Sequence, residues 1–143
     1  MFLLDTNVIS EFRKIRAGKA DGNVARWETG LRASTLFLSA ITFFELEHGT
    51  LLLERRDPRQ GGGLRRWLDQ QVVKSFAERI LPIDAVIAKF AASLHIPDPR
   101  PERDALIAAT ALVHRMTVAT RNVADFAPMG VPTLNPWDAP PAP

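Results

Sequence analysis

Apolar residues along the chain fall into two rhythms. Short, mostly apolar stretches occur at Phe2–Leu4, Leu36–Ser39, Arg79–Leu81, Val118–Ala119 and Thr133–Leu134. Their length and apolar character predict buried strands. Between them the apolar positions recur at helical spacing. The pattern predicts helices over Val8–Ile15, from Asp21 or Asn23 through Trp27 and Leu31, over Ile41–Glu54 and over Leu64–Ala77. Two more follow, one capped by Asp84 and running to about Leu94, one from Glu102 or Arg103 to Arg115. The segment "HIPDPRPERD" is proline-rich and reads as a loop, because proline cannot continue a helix interior. Strands that alternate with helices predict an α/β fold, a parallel sheet with helices on both faces. In such folds ligands bind beyond the carboxyl ends of the strands, at the topological switch point.

Four acids interrupt this pattern. In "MFLLDTNVIS", Asp5 follows the first apolar run directly, and a carboxylate there is costly unless something pairs with it. Thr6 or Asn7 is placed to cap the following helix, so Asp5 reads either as part of that cap or as a site residue at the mouth of the sheet. Glu45 shares a helix face with Ile41, Thr42, His48, Gly49 and Leu52, whereas Glu47 and Glu54 point to the other side as solvated surface. On that stripe Glu45 is a salt-bridge partner or a site acid. Asp104 stands in the first turn of a helix with no charge from Ala105 to Val113, which predicts burial nearly all round. The helix dipole favours an acid there, and Arg103 beside it is a candidate counter-charge. Asp125 follows the strand "TVA" in "TRNVADF", as a turn residue or as a fourth acid of one group, with Thr120 and Asn122 as short hydrogen-bonding neighbours and Phe126 as a core anchor.

Composition narrows the chemistry. The chain has 143 residues, enough for one domain with a sizeable core, and no cysteine, which excludes disulfides and thiolate metal sites. No basic segment precedes a long apolar run, as a signal peptide requires, and no run has the length of a membrane span, so a cytoplasmic location is expected. The net charge is only +2, but arginine far outnumbers lysine. Arginine suits bidentate contact with phosphate or carboxylate. "ERRDPRQGGGLRR" gathers Arg55, Arg56, Arg59, Arg65 and Arg66 around Gly61–Gly63. It reads as a flexible turn between helices, either a solvated loop or a phosphate-contacting rim.

The positions of Asp5, Glu45, Asp104 and Asp125 relative to the strands allow all four to meet at one end of a parallel sheet. Four carboxylates do not ionise side by side without a cation. An oxygen-only set with no cysteine points to a hard ion, Mg²⁺ or Mn²⁺, and to hydrolysis of phosphodiesters.

The segments "LLDTNVISE", "LSAITFFELEHG", "RDALIAATALVHRMTVATRNVADF" and "NPW" span the chain in order. Together they resemble PIN-domain proteins of the VapC type, the toxin ribonucleases of bacterial type II toxin–antitoxin pairs. "LLDTNVISE" and "NPW" are most similar to the FitB-like branch. The resemblance implies a five-stranded parallel sheet, with the PIN domain over 1–137 and a Pro-rich tail over 138–143. It implies a Mg²⁺-dependent endoribonuclease, with Mn²⁺ as a substitute. Asp5, Glu45 and Asp104 match the metal-binding acids, Asp125 the fourth acid, and Thr6, Thr120 and Asn122 the supporting polar residues. The implied partners are a small DNA-binding antitoxin, RNA as substrate, a second copy of the chain in a homodimer, and operator DNA reached only through the antitoxin. Two other classes compete. A binding module would act through the antitoxin and operator complex with little turnover. A phospho-accepting receiver domain would need an acidic pair after the first strand and a late lysine, and no lysine follows Lys89.

Overall fold

The computed structural model describes residues 1–140. Its first strand, β1 (Phe2–Leu4), becomes the centre of the sheet. Helices α1 (Thr6–Phe12) and α2 (Gly22–Thr29) lead to β2 (Leu36–Ser39). The antiparallel pair α3 (Ala40–Arg56) and α4 (Pro58–Trp67) follows, extended by a π-helical turn at Leu68–Val72 and the short α5 (Val73–Ser75). Then come β3 (Ile80–Leu81), α6 (Ala85–Ser93), α7 (Glu102–His114), β4 (Thr117–Ala119), α8 (Val123–Phe126) and β5 (Thr133–Leu134).

All pairings are parallel, in the order β3-β2-β1-β4-β5. The chain steps outward from β1 to β2 and β3, then crosses back to lay β4 on the other side of β1. The direction of winding therefore changes between β1 and β4, where such sheets open a crevice at their carboxyl ends. Leu3 pairs in register with Val118, and Leu4 with Ala119.

The five strands predicted from apolar runs are all present, because strands covered on both faces must be apolar on both. Leu3 and Val118 pack on one side with Ala105, Ala108 and Ala111 of α7. Leu4 and Ala119 pack on the other with Val8, Leu38, Leu46 and Leu68. Ala105, Ala108, Ala109 and Ala111 are fully buried, as expected for an uncharged helix against the sheet. Trp27, half-buried, packs edge-on against Phe2 with ring centroids 5.2 Å apart. Asn23 Nδ2 donates to the Trp137 carbonyl at 2.7 Å, fixing the "NPW" turn. Of the tail expected over 138–143, residues 141–143 lie outside the described residues.

Four expectations are corrected. Helix α1 begins at Thr6, not Val8, because Asp5 rather than Thr6 or Asn7 is its cap. Helix α3 is rotated from the expected stripe: Thr42, Leu46 and Thr50 are buried, whereas Phe44, Leu51 and Leu52 are more than half exposed. Apolar residues surround this helix, so periodicity alone does not select its core side. The third correction concerns Gly61–Gly63, which are helical rather than a turn. Asp57 accepts from the Gln60 N–H at 3.2 Å and Pro58 occupies the first helical position, a strong start signal. Each helical glycine costs about 1 kcal/mol relative to alanine. Gly61 offsets this by letting α4 approach α3, since a Cβ at Gly61 would lie 2.4 Å from the Glu54 Cα. Across the same contact Arg65 binds Glu47 at 2.6 Å and Glu54 at 2.9 Å, so these acids are paired rather than solvated.

The two neighbouring glycines should therefore respond oppositely to alanine. At Gly62 the added Cβ meets only the end of the Arg66 side chain, at 3.7 Å. Gly62→Ala should stabilise by roughly 0.5–1 kcal/mol through helix propensity. Gly61→Ala should destabilise by about 1–3 kcal/mol through overpacking. Urea unfolding of both variants checks this, and equal effects would contradict the close packing of α3 on α4.

Candidate active site at the carboxyl edge of the sheet

The switch between β1 and β4 is closed by a backbone bond from the Asp5 N–H to the Ala119 carbonyl, at 2.9 Å. The two residues that follow the strands, Asp5 and Thr120, are thus brought side by side. Asp5 is buried, 7 % exposed, and both of its oxygens are bonded. Oδ1 accepts from the Thr6 N–H at 2.8 Å, as the cap of α1. Oδ2 accepts from Thr120 Oγ1 at 2.8 Å and from Asn7 Nδ2 at 3.3 Å. The cap and the site are therefore one arrangement. Burial raises the Asp5 carboxyl above its usual range, the Thr120, Thr6 and Asn7 hydrogen bonds pull it back, and the charge of Asp125 pushes it up further.

Thr120 is fully buried, and its hydroxyl is oriented from both sides. It accepts from the Asn122 N–H at 3.0 Å, which commits its proton to Asp5. Asn122 contributes through its backbone, and its side chain does not cap α8. Asn7 supports the same corner: its Oδ1 accepts from the Arg121 N–H at 3.2 Å, tying the turn after β4 to the start of α1.

Thr6 reaches the other way. Its Oγ1 donates to Glu45 Oε1 at 3.0 Å, linking α1 to the second turn of α3. Glu45 Oε2 lies 3.7 Å from the Arg103 guanidinium, which also stacks 4.9 Å from the Phe44 ring centroid. Arg103 thus pairs with Glu45 and not with its neighbour Asp104. Consecutive helical residues point about 100° apart, so the two need not share a partner.

Asp104 occupies the first turn of α7, where the dipole favours a carboxylate. Its pKa is nonetheless raised to about 6, first by burial and then by the charges of Asp5, Asp125 and Glu45. Repulsion and desolvation together outweigh the dipole. Asp125, exposed in the single turn of α8, acts on both Asp5 and Asp104. The four acids predicted from sequence are thus within electrostatic reach of one another. Among the described residues, no three His, Asp or Glu side chains close on a single point as ligands of one ion. Hydrogen bonds to Thr6, Thr120 and Asn7 hold Asp5 and Glu45, while mutual repulsion opposes closer approach. The donor set fits a hard divalent cation: every donor is a carboxylate oxygen, and among the described residues the Arg103 guanidinium is the only counter-charge bonded to the four.

Sequence reasoning overlooked two of these contacts. Asn7 appeared only as a candidate cap, and Arg103 only as a counter-charge for Asp104. The Arg103–Glu45 pair joins residues far apart in the chain, and no local pattern encodes it. His48 is exposed beside Phe44, with ring centroids 5.9 Å apart.

The raised pKa of Asp104 has a thermodynamic consequence. Between the ordinary value of 3.8 and about 6 the folded chain holds a proton that the unfolded chain releases. Stability therefore falls as pH rises through that window and is flat above it. In EDTA, Asp104→Asn should be more stable than the parent at pH 8, by roughly 1–2 kcal/mol after allowing for solvent screening. The advantage should vanish below pH 4. Urea unfolding across this range checks it, and a pH-independent difference would remove the charge crowding on which the site is built.

The PIN domain family model matches residues 2–128. Toxin FitB of Neisseria gonorrhoeae is 37 % identical over 142 residues, covering 96 % of this chain and 99 % of that protein. VapC ribonuclease Y4jK of Sinorhizobium fredii is 34 % identical over 143 residues, covering 96 % of this chain and 99 % of that protein. A solved structure of FitAB bound to an IR36 DNA fragment superimposes with a TM-score of 0.86 at 35 % identity, covering 98 % of each chain. Strand order, the paired corners after β1 and β4 and this match along nearly the whole chain agree, and the chain belongs to the PIN-domain family.

Proposed function

We propose that the chain is a metal-dependent endoribonuclease, the toxin of a toxin–antitoxin pair, with Asp5, Glu45, Asp104 and Asp125 as its catalytic and metal-binding acids. The observation that carries this reading is the gathering of acids at the β1–β4 switch, where Thr120 holds Asp5, Thr6 holds Glu45, and burial together with the charges of Asp5, Asp125 and Glu45 raises the Asp104 carboxyl to about 6. Such crowding lowers stability in the free chain and is relieved by a divalent cation, Mg²⁺ or Mn²⁺. The names of the relatives, a FitB toxin and a VapC ribonuclease, support the same reading.

A bound divalent ion supplies Lewis acidity and an activated water for in-line attack on a phosphodiester. The chain's own residues do the rest. Thr120, oriented by the Asn122 N–H, holds Asp5 in one rotamer. Thr6 does the same for Glu45. Asp125, exposed beside this pair, is placed to orient the attacking water. Arg103, paired with Glu45 and stacked on Phe44, offers a guanidinium at the rim for a phosphate oxygen. No histidine takes part.

The partners follow from the same reading. A small DNA-binding antitoxin covers the cleft, the chain forms a homodimer, and operator DNA is engaged only through the antitoxin. The similarity to a FitAB complex bound to a DNA fragment supports a partner and a DNA target; the covered cleft, the homodimer and the indirect contact with DNA are part of the proposal. No helix among the described residues is long and apolar enough to cross a membrane. Action in the cytoplasm, where RNA is available, is part of the proposal.

Asp5→Asn keeps shape and removes one charge. Cleavage of single-stranded RNA by this variant should fall by roughly 100-fold or more. Thr120→Val, which leaves every acid in place but frees Asp5, should lose about 10–100-fold. Mg²⁺ or Mn²⁺ should support the parent and EDTA should abolish cleavage. Parent-level cleavage by Asp5→Asn and Asp104→Asn, each measured alone, would overturn the nuclease reading in favour of a binding module.

A further inference from the structure

A second polar recess lies at the far end of α1. Asp5 caps the start of that helix and Arg13 follows its last residue, so acids and recess are separated by the helix length, roughly 10 Å along its axis. The recess is about 390 Å³ and is lined by Arg13, Arg16, Gly63, Arg66, Trp67 and Gln70, among others. All three arginines are exposed. Among the described residues none has a carboxylate within 4.0 Å. The contrast with Arg65, one residue away, is instructive: Arg65 is neutralised by Glu47, Glu54 and Asp69. Nearby Lys14 takes the one acid of α1, Glu11, at 2.9 Å.

The guanidiniums are held close together over a glycine. A Cβ at Gly63 would lie 3.7 Å from an Arg13 nitrogen and 3.9 Å from an Arg66 nitrogen. Like charges brought this near without an acid repel, and an anion between them reverses the sign of that interaction. Gly63 has no close packing contact of the kind that accounts for Gly61, so its missing side chain leaves space rather than filling a contact. The Trp67 ring forms part of the wall, with the Arg13 guanidinium 5.9 Å from its centroid. Guanidiniums interleaved with an aromatic face are the chemistry that grips single-stranded nucleic acid, phosphate by charge and base by stacking.

We propose that Arg13, Arg16 and Arg66, with Trp67, form a phosphate-binding subsite for the RNA strand, separate from the acids that cleave it. This rests on the ribonuclease reading and deepens it. The acidic cleft repels a polyanion, and the recess supplies the attraction that keeps the strand in place. A short stretch of single strand laid along α1 reaches both. An acidic segment of a protein partner is the competing occupant. The pairing of a π-face with several unneutralised guanidiniums favours the nucleic acid.

Binding and cleavage separate the possibilities. A single-stranded RNA long enough to span α1 is titrated in EDTA, where it stays intact, against the parent and Arg13→Gln/Arg16→Gln/Arg66→Gln. The variant should bind more weakly, and the slope of log K against log salt should shrink by about 2, at roughly 0.7 per lost phosphate contact. Gly63→Glu, which inserts a carboxylate between the guanidiniums and leaves them in place, should weaken binding in the same direction. Arg55→Gln/Arg59→Gln, an equal type of charge loss elsewhere, should change it much less. With Mg²⁺, an oligonucleotide too short to reach the recess should be cleaved equally by parent and triple variant, while the long RNA should be cleaved more slowly by the variant. Unchanged affinity and salt slope in the triple variant would overturn the subsite, as would loss of antitoxin binding with RNA affinity intact. Failure of the parent to cleave either RNA would instead overturn the nuclease reading.

Discussion

The hydrogen bond from Thr120 to Asp5 joins the ends of the two central strands, and the rest of the site is arranged around it. It lies where the sheet changes its winding direction between β1 and β4, the point at which such sheets open a crevice beyond their carboxyl ends. A buried carboxylate at that edge must be bonded or neutralised. Asp5 meets the requirement with one backbone and two side-chain donors, which fix its position. The same carboxylate caps α1, so the orientation of that helix and the orientation of the acid are set together. Thr6 then extends the arrangement to Glu45, and α3 is tied to the corner by a contact outside the core.

Three layers of the fold converge to place like charges together, which folding alone does not favour. Helix α7, uncharged from Ala105 to Val113, is drawn onto the sheet by Ala105, Ala108 and Ala111, and it carries Asp104 with it. The alanines permit a close approach that larger side chains would prevent. The approach in turn fixes Asp104 where burial and three other acids act on it. Stability gained by the core is thus spent in part at the sheet edge. Arg103, which would have neutralised Asp104 at least expense, is held instead by Glu45 and Phe44. The charge of Asp104 is left without an ion-pair partner among the described residues where the crevice opens.

Much of this was legible in the sequence because the relevant signals are local. The five strands show as short, mostly apolar runs whose predicted limits differ from the observed ones by at most a residue, the central ones buried and the edge strands β3 and β5 half-buried. Asp5 and Glu45 stand out as acids in apolar surroundings, and Asp104 as the last charged residue before the uncharged run Ala105–Val113. What was not legible depends on contacts between distant segments. Nothing near Gly61 announces that Glu54 will press against it, so a run of three glycines reads as a turn. Helix α3 carries apolar residues on most of its circumference, and only the packed structure selects Thr42, Leu46 and Thr50 for the interior. The Arg103–Glu45 pair and the bond from Arg121 to Asn7 likewise join parts of the chain that no window of sequence contains together.

The arginines illustrate the same division between composition and structure. Their abundance signals an affinity for anions, but charge counting treats them alike. The fold sorts them by what lies opposite. Arg65 meets three acids across the α3–α4 contact and becomes part of the scaffold. Arg66, rotated about 100° around the same helix, meets Arg13 across Gly63 and finds no acid. One residue of displacement therefore separates a structural guanidinium from a free one. The glycine run makes both outcomes possible: Gly61 admits the neighbouring helix on one side of α4, and Gly63 leaves an opening on another. A flexible linker would have fixed neither arginine, whereas a helix with gaps at defined positions fixes both.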